Sequence, residues 1–239
     1  MHLPKVTIVI PFYNCPYIEQ AIQSALNQTY PNIEIVVVDD GSTRHAERIQ
    51  PYAHKINYIG KANGGTASAL NYGIRISSGE YFAWLSSDDL FYPHKIARQM
   101  EYMLARNAQI SYTSFDLINE YNAITGRHVA TSFRNVIEFY SSLHNSNPIN
   151  GCTVIMKKQT IEALGYFDEN LPFTHDYDLW LRAILTGYDF HYIHEPLTLY
   201  RWHSNMGTMR HRPAIDLEVA ATRSRYKHSL EHYLYRLTH

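Results

Sequence analysis

The chain has 239 residues, 45% hydrophobic, 18% charged and 13% aromatic, a composition that excludes a disordered tail or a fibrous repeat and provides for one sizeable core. Lys and Arg total 21 against 22 Asp and Glu, so no global field draws the chain to nucleic acid and recognition has to be local. The two cysteines, Cys15 and Cys152, form no CxxC pair, which excludes a disulfide framework and a cysteine-based zinc site.

The β-branched run at residues 6–10, stopped by Pro11, predicts a buried strand that delivers Phe12, Tyr13 and Asn14 at its end. Ile18, Ala21, Ile22, Ala25 and Leu26 then fall at helical spacing, and residues 33–38 form a second apolar strand ending at Asp39 and Asp40. Both strands are continuously apolar rather than alternating, as a parallel sheet covered on both faces requires. The pattern repeats: a polar helix near 44–50, a strand at 56–59, a turn at Gly64 and Gly65, and a helix through Leu70 and Ile74 ending near Gly79. A strand at 81–85 runs into Asp88 and Asp89, and Pro93 opens a helix with Ile96, Met100, Met103 and Leu104 on one face. Beyond about residue 108 the rhythm loosens, with strands expected at 110–115, 128–131, 153–156 and 190–193, a helix at 177–185 and a helical C-terminus. One α/β domain results, with a mixed extension of its sheet. No signal-peptide pattern opens it and no apolar run approaches the roughly 18 residues that span a bilayer, so the expected setting is the cytoplasm.

In an open α/β sheet, ligands gather outside the carboxyl ends of the strands. Three predicted strand ends carry Tyr13 and Asn14, Asp39 and Asp40, and Asp88 and Asp89, so one crevice can collect them all. Paired carboxylates at a buried strand mouth lose hydration and repel each other, which suits either a helix cap or a hard cation such as Mg²⁺ or Mn²⁺. Asp39 and Asp40 fit a turn and cap, or an acceptor for a base or ribose group. Asp176 and Asp178 open a helix whose dipole favours their ionised forms, so either can serve as a general base; two residues apart, only one faces a given site. His203, just past an apolar strand, suits a metal or phosphate contact as well as a structural one. Neither GxGxxG after the first strand nor GxxxxGK[ST] occurs, so a dinucleotide fold and a P-loop lack their signatures.

Five segments taken in order resemble the family 2 glycosyltransferases: VTIVIPFYN at 6–14, ALNQTYPNIEIVVVDDGST at 25–43, NGGTASALNYG at 63–73, GEYFAWLSSDD at 79–89 and HDYDLWLR at 175–182. The resemblance implies a GT-A fold: a Rossmann-like, mostly parallel central sheet flanked by helices, with a mixed C-terminal extension. It divides residues 1–239 into a nucleotide-sugar-binding half (1–107), an acceptor-side half (108–212) and a C-terminal helix (213–239). It also implies inverting transfer of a sugar from a nucleoside diphosphate-sugar, a UDP-sugar being favoured, to a saccharide or lipid-linked acceptor in surface polysaccharide or glycolipid synthesis, with peripheral contact at the inner face of the membrane. On that analogy Asp176 is the catalytic base. Pro11, Tyr13, Asp39, Asp40, Asn63 and Ser87 bind the donor, and Asp88, Asp89 and His203 hold a divalent metal, Mn²⁺ or Mg²⁺. Gly151, His175 and Trp180 lie on the acceptor side. Ser86 replaces the first acid of the family's DxD element, and His175 replaces the glutamate that commonly precedes the base. A non-catalytic sugar-nucleotide-binding protein and a nucleotidyltransferase are the competing readings.

Overall fold

The computed structural model describes residues 3–204 and 206–239. Strand β1 (Val6–Phe12), helix α1 (Ile18–Leu26), strand β2 (Ile33–Asp39), a 3₁₀ helix (Ala46–Tyr52), strand β3 (Asn57–Gly60), helix α2 (Gly65–Ile76) and strand β4 (Tyr81–Trp84) make up the first half. Strand β5 (Leu90–Phe91), helix α3 (Lys95–Arg106) and the hairpin β6 (Ile110–Ile118) and β7 (Ile124–Val129) follow. Helix α4 (Val136–Ser142), a 3₁₀ turn (Gly151–Thr153), strand β8 (Ile155–Lys157), helices α5 (Lys158–Ala163) and α6 (His175–Leu185), strand β9 (Phe190–Arg201) and helices α7 (Gly207–Arg210) and α8 (Arg212–Thr238) complete it.

The strands form one sheet in the order β3-β2-β1-β4-β8-β6-β9-β5, with β7 paired to β6 outside that path. Its first four strands are parallel: Val6 lies opposite Ile33 and Tyr81, and Phe12 opposite Asp39, so the carboxyl ends of β1, β2 and β4 share one rim. Val9, Val36 and Val38 pack under α2 and α6, whereas Ile8, Ile10 and Val37 pack under α1 and α3. That two-sided cover is why these strands read as unbroken apolar runs. Gly73 permits the close approach of α2, since a Cβ there would stand 2.5 Å from Val9 Cγ1.

The second half departs from the sequence expectations for local reasons. The strand expected at 128–131 is β7 instead, where His128 adopts φ 51° and its amide donates to Asp116 Oδ1 at 2.8 Å. The strand expected to end at 193 runs on to Arg201, with Pro196 opposite Ser114 between two register shifts, from Thr113↔Ile193 to Ser114↔Pro196 and from there to Phe115↔Thr198. Helix α4, not anticipated, starts at Asn135, whose side chain accepts the Glu138 amide while Glu138 accepts from Arg134. Helix α2 stops at Ile76, short of Gly79, as Ser77 turns extended.

Lys95, at the start of α3, is wholly buried, with its ammonium on Gln99 Oε1, on the Thr153 carbonyl (3.2 Å) and over the Phe91 ring. Burial lowers its pKa from 10.5 to about 7. The unfolded chain therefore binds the extra proton between about pH 7 and 10.5, so this group's cost to the fold is complete below pH 7 and fades as pH rises through that window. Lys95→Met is expected to raise the melting temperature by several degrees at neutral pH and by almost nothing near pH 10.5, which thermal unfolding across that range checks.

Candidate active site

On the donor side, β1 ends with half-buried Pro11 and exposed Tyr13, whose ring is open to a ligand. Asn14, at φ 52°, ties this end to the next strand mouth by accepting the Thr43 and Arg44 amides at 2.8 Å each. Asp39 accepts the Ser42 amide (2.7 Å) and the Tyr58 hydroxyl (2.5 Å). Asp40 accepts from Lys61 Nζ (2.7 Å) and from the amides of Gly64 (2.9 Å) and Gly65 (2.7 Å), capping α2, whose N-cap glycine has no side chain to do so. Both carboxylates are buried. Asn63 is exposed above them, with its amide on the Asp40 carbonyl (2.9 Å).

At the β4 mouth, the segment from Ser86 to Asp89 is held from both sides by the chain's two cysteines. Cys15 Sγ donates to the Ser87 carbonyl at 3.3 Å, and Cys152 Sγ contacts the Ser86 hydroxyl at 3.0 Å and accepts its amide at 3.4 Å. Asp88 is partly exposed and its Oδ2 lies 3.2 Å from His203 Nε2, while the His203 ring meets Tyr17 edge-on. Asp89 is buried, its Oδ1 accepts the Arg201 amide at 2.8 Å, and burial together with the Asp88 charge pushes its carboxyl well above the ordinary carboxylate range.

Arg201 was not singled out by the sequence reading. Fully buried, it donates Nε to the Asp88 carbonyl (2.7 Å), Nη1 to the Asn119 carbonyl (3.0 Å) and Nη2 to Gln20 Oε1 (3.0 Å), and its guanidinium lies over Tyr17. The pairing of β5 with β9, Phe91 opposite Thr198, brings it there and carries His203 to Asp88. A charged residue closing an apolar strand was the available signal.

Among the described residues no group of three His, Cys, Asp or Glu side chains converges as a metal site. The pair Asp88 and His203 nevertheless fits a hard or borderline divalent ion: one carboxylate and one imidazole, partly open, leaving the other positions to substrate phosphates.

Asp176 stands in the first turn of α6. Its Oδ2 accepts from Asn147 Nδ2 at 3.0 Å and its Oδ1 from the Tyr177 amide at 2.7 Å, and burial raises its pKa against the opposing pull of His175. Asp178 is buried against Arg182 Nε (2.8 Å) and the Tyr226 hydroxyl (2.7 Å). The ring of Trp84, last residue of β4, lies 5.5 Å from that of His175 and thereby sets the start of α6 beside the strand mouth that carries Asp88.

The three residues expected on the acceptor side are all buried. His175 is buried between Trp84 and Phe167 with its Nδ1 on the Leu171 carbonyl, and burial lowers its pKa, so it is a neutral core residue. Trp180 is buried edge-on to Phe190 and offers no face to a sugar. Gly151 is buried because a Cβ there would stand 2.2 Å from Trp84 Cζ3. Gly151→Ala is expected to cost about 1–3 kcal/mol of overpacking, read as a fall in the denaturant midpoint.

A family model described as glycosyl transferase family 2 matches residues 7–164. An uncharacterized glycosyltransferase of Rickettsia typhi (strain ATCC VR-144 / Wilmington) is 41% identical over 213 residues, covering 86% of this chain and 66% of that one. The chain thus spans just under two thirds of that relative, and 36% of another from Rickettsia felis. A Bacillus subtilis protein named for teichuronic acid biosynthesis, glycosyltransferase TuaG, is 28% identical over 84% of this chain and 81% of its own length. Among solved structures, S. aureus TarS 1–349 in complex with UDP-GlcNAc superposes with a TM-score of 0.74 at 19% identity, covering 96% of this chain and 71% of that one. Mannosyltransferase PcManGT from Pyrobaculum calidifontis, in complex with GDP-Man and Mn²⁺, superposes with a TM-score of 0.71 at 19% identity, covering 98% and 70%. The fold is therefore the GT-A fold, and with the family match spanning well over half its length the chain belongs to glycosyl transferase family 2.

Proposed function

We propose that the chain transfers a sugar, with inversion, from a nucleoside diphosphate-sugar to an acceptor hydroxyl. The observation that carries the reading is Asp176, set by its first-turn position, Asn147 and the Trp84–His175 contact beside the strand mouth that carries Asp88 and His203. Tyr13 and Pro11 flank the nucleoside, the loops shaped by Asp39 and Asp40 present Asn63 to it, and Ser87 lies along the diphosphate. Asp176 takes the proton of the acceptor hydroxyl as that oxygen bonds to the anomeric carbon from the face opposite the departing nucleoside diphosphate. One displacement forms one C–O bond, breaks another and inverts the centre. Asp88 and His203 would hold a divalent ion, Mn²⁺ or Mg²⁺, which when bound neutralises charge on the leaving diphosphate.

A UDP-sugar is the favoured donor and a saccharide or lipid-linked molecule the acceptor. The TarS complex with UDP-GlcNAc and the PcManGT complex with GDP-Man and Mn²⁺ support a nucleotide-sugar donor, and the name of TuaG supports a role in surface polysaccharide or glycolipid synthesis. No helix among the described residues is long and apolar enough to cross a membrane. The test is proton NMR of the sugar first released from UDP-GlcNAc or GDP-mannose with Mn²⁺. The β anomer from either α-linked donor supports the reading; the α anomer contradicts inversion.

A further inference from the structure

Resting on the reading of Asp176 as the base, we propose that Glu218 of α8 is a positioning residue for it. Thr174 is the N-cap of α6, yet its side chain caps nothing within that helix. Glu218 does so from outside: its Oε1 accepts the Phe173 amide (2.9 Å), the Thr174 amide (2.7 Å) and the Thr174 hydroxyl (2.8 Å). Buried Thr222, one turn along α8, meets the same hydroxyl at 2.9 Å. A carboxylate at this point satisfies donors that would otherwise lack partners and complements the helix dipole.

The second support of Asp176 is held by the same helix. Asn147 belongs to the loop after α4, and Arg223 Nε of α8 binds the His144 carbonyl of that loop at 2.6 Å. Lower on α6, Tyr226 and Arg225 of α8 meet Asp178. So α8 fixes both the helical turn from which Asp176 projects and the loop that donates to it. A helix turns about 100° per residue, so a one-residue shift in where α6 begins would swing Asp176 out of line. Glu218 touches no reacting atom and acts through the backbone of residues 173–174.

The test compares Glu218→Ala, Glu218→Gln and Asp176→Asn in the full chain, reading UDP release from UDP-GlcNAc with Mn²⁺, UDP affinity by calorimetry, and amide exchange over residues 173–177. For Glu218→Ala, kcat is expected to fall roughly ten- to hundredfold, the scale of a misplaced reacting group, with KM and UDP affinity within about twofold. Amide exchange over residues 173–177 is expected to quicken, and Glu218→Gln, which keeps an acceptor oxygen, to restore most of both losses. An unchanged kcat, a parallel loss of kcat and UDP affinity, unchanged exchange, or a Gln variant as impaired as Ala overturns the inference. If the Ala variant does not fold, Glu218→Asp, one methylene shorter, decides on the same kcat and affinity criteria. Asp176→Asn with undiminished turnover overturns the base assignment and the inference with it, whereas an inactive Asp176→Asn beside a fully active Glu218→Ala overturns the inference alone.

Discussion

Asp176→Asn is expected to abolish measurable transfer, a loss of about 10²–10⁴-fold for a general base, while UDP affinity stays as it was. Asn keeps the shape but offers one acceptor oxygen where Asp176 offers two, so its amide nitrogen must face either the Tyr177 amide or Asn147 Nδ2. Its amide oxygen is far too weak a base to take the acceptor proton. Because burial holds the Asp176 carboxyl above its ordinary value of 3.8, turnover of the unaltered chain should climb on an acid limb displaced to higher pH than a solvated aspartate gives. The stability effect has the opposite sign. The native state holds this proton more tightly than the unfolded chain, so stability falls as pH rises from 3.8 through the raised value, and the full cost stands at neutral pH. Asp176→Asn removes that cost, so the inactive variant should melt higher than the active one at pH 7, a comparison that thermal unfolding supplies directly.

Arg201→Met is expected to give the largest loss of stability of any single change in the site. The guanidinium holds the Asp88 carbonyl, the Asn119 carbonyl and Gln20 in three different directions. Removing one partner from a buried charged network costs roughly 3–5 kcal/mol. At about 2–4 °C per kcal/mol for a domain of this size, the melting temperature should fall by roughly 6–20 °C. Arg201→Lys should rescue little, since a single ammonium cannot serve three divergent acceptors. Folded protein recovered at low temperature should also bind UDP with Mn²⁺ more weakly, because the backbone of Asp88 has lost its anchor. Calorimetric melting and UDP titration of both variants check the two halves of this expectation.

The donor half was legible because its signals are local. Apolar runs that stop at acids announce parallel strands and their mouths, and β1, β2 and β4 appear where those runs stand, sharing the rim that the registers define. The other half hides its signals. Pro196 masks the continuity of β9, which runs on through two register shifts either side of Ser114↔Pro196, and α4 lies in a polar stretch whose one cue was Asn135 followed by Glu138. Within the site, residue types set the chemistry but tertiary packing decides exposure. Asp88 and His203 meet as their types allow, whereas Asp89, His175 and Trp180 have equally suitable side chains and are turned into the interior. Spacing alone left Asp176 and Asp178 equal, and the resemblance named Asp176; that Tyr226 and Arg225 of α8 claim Asp178 is a contact no periodicity can bridge. Arg201 went unnoticed for the same reason, its partners Gln20, Asp88 and Asn119 being remote in sequence.

If the strand mouths form one nucleoside diphosphate site with Asp88 and His203 as its metal-holding pair, calorimetric titration of UDP and GDP into the chain and into Asp88→Asn, each with and without Mn²⁺, will show it. Saturable binding of at least one nucleotide that tightens with Mn²⁺ is expected in the unaltered chain, with loss of that Mn²⁺ dependence in Asp88→Asn. Equal affinity with and without the metal, or an Asp88→Asn titration indistinguishable from that of the unaltered chain, would contradict it.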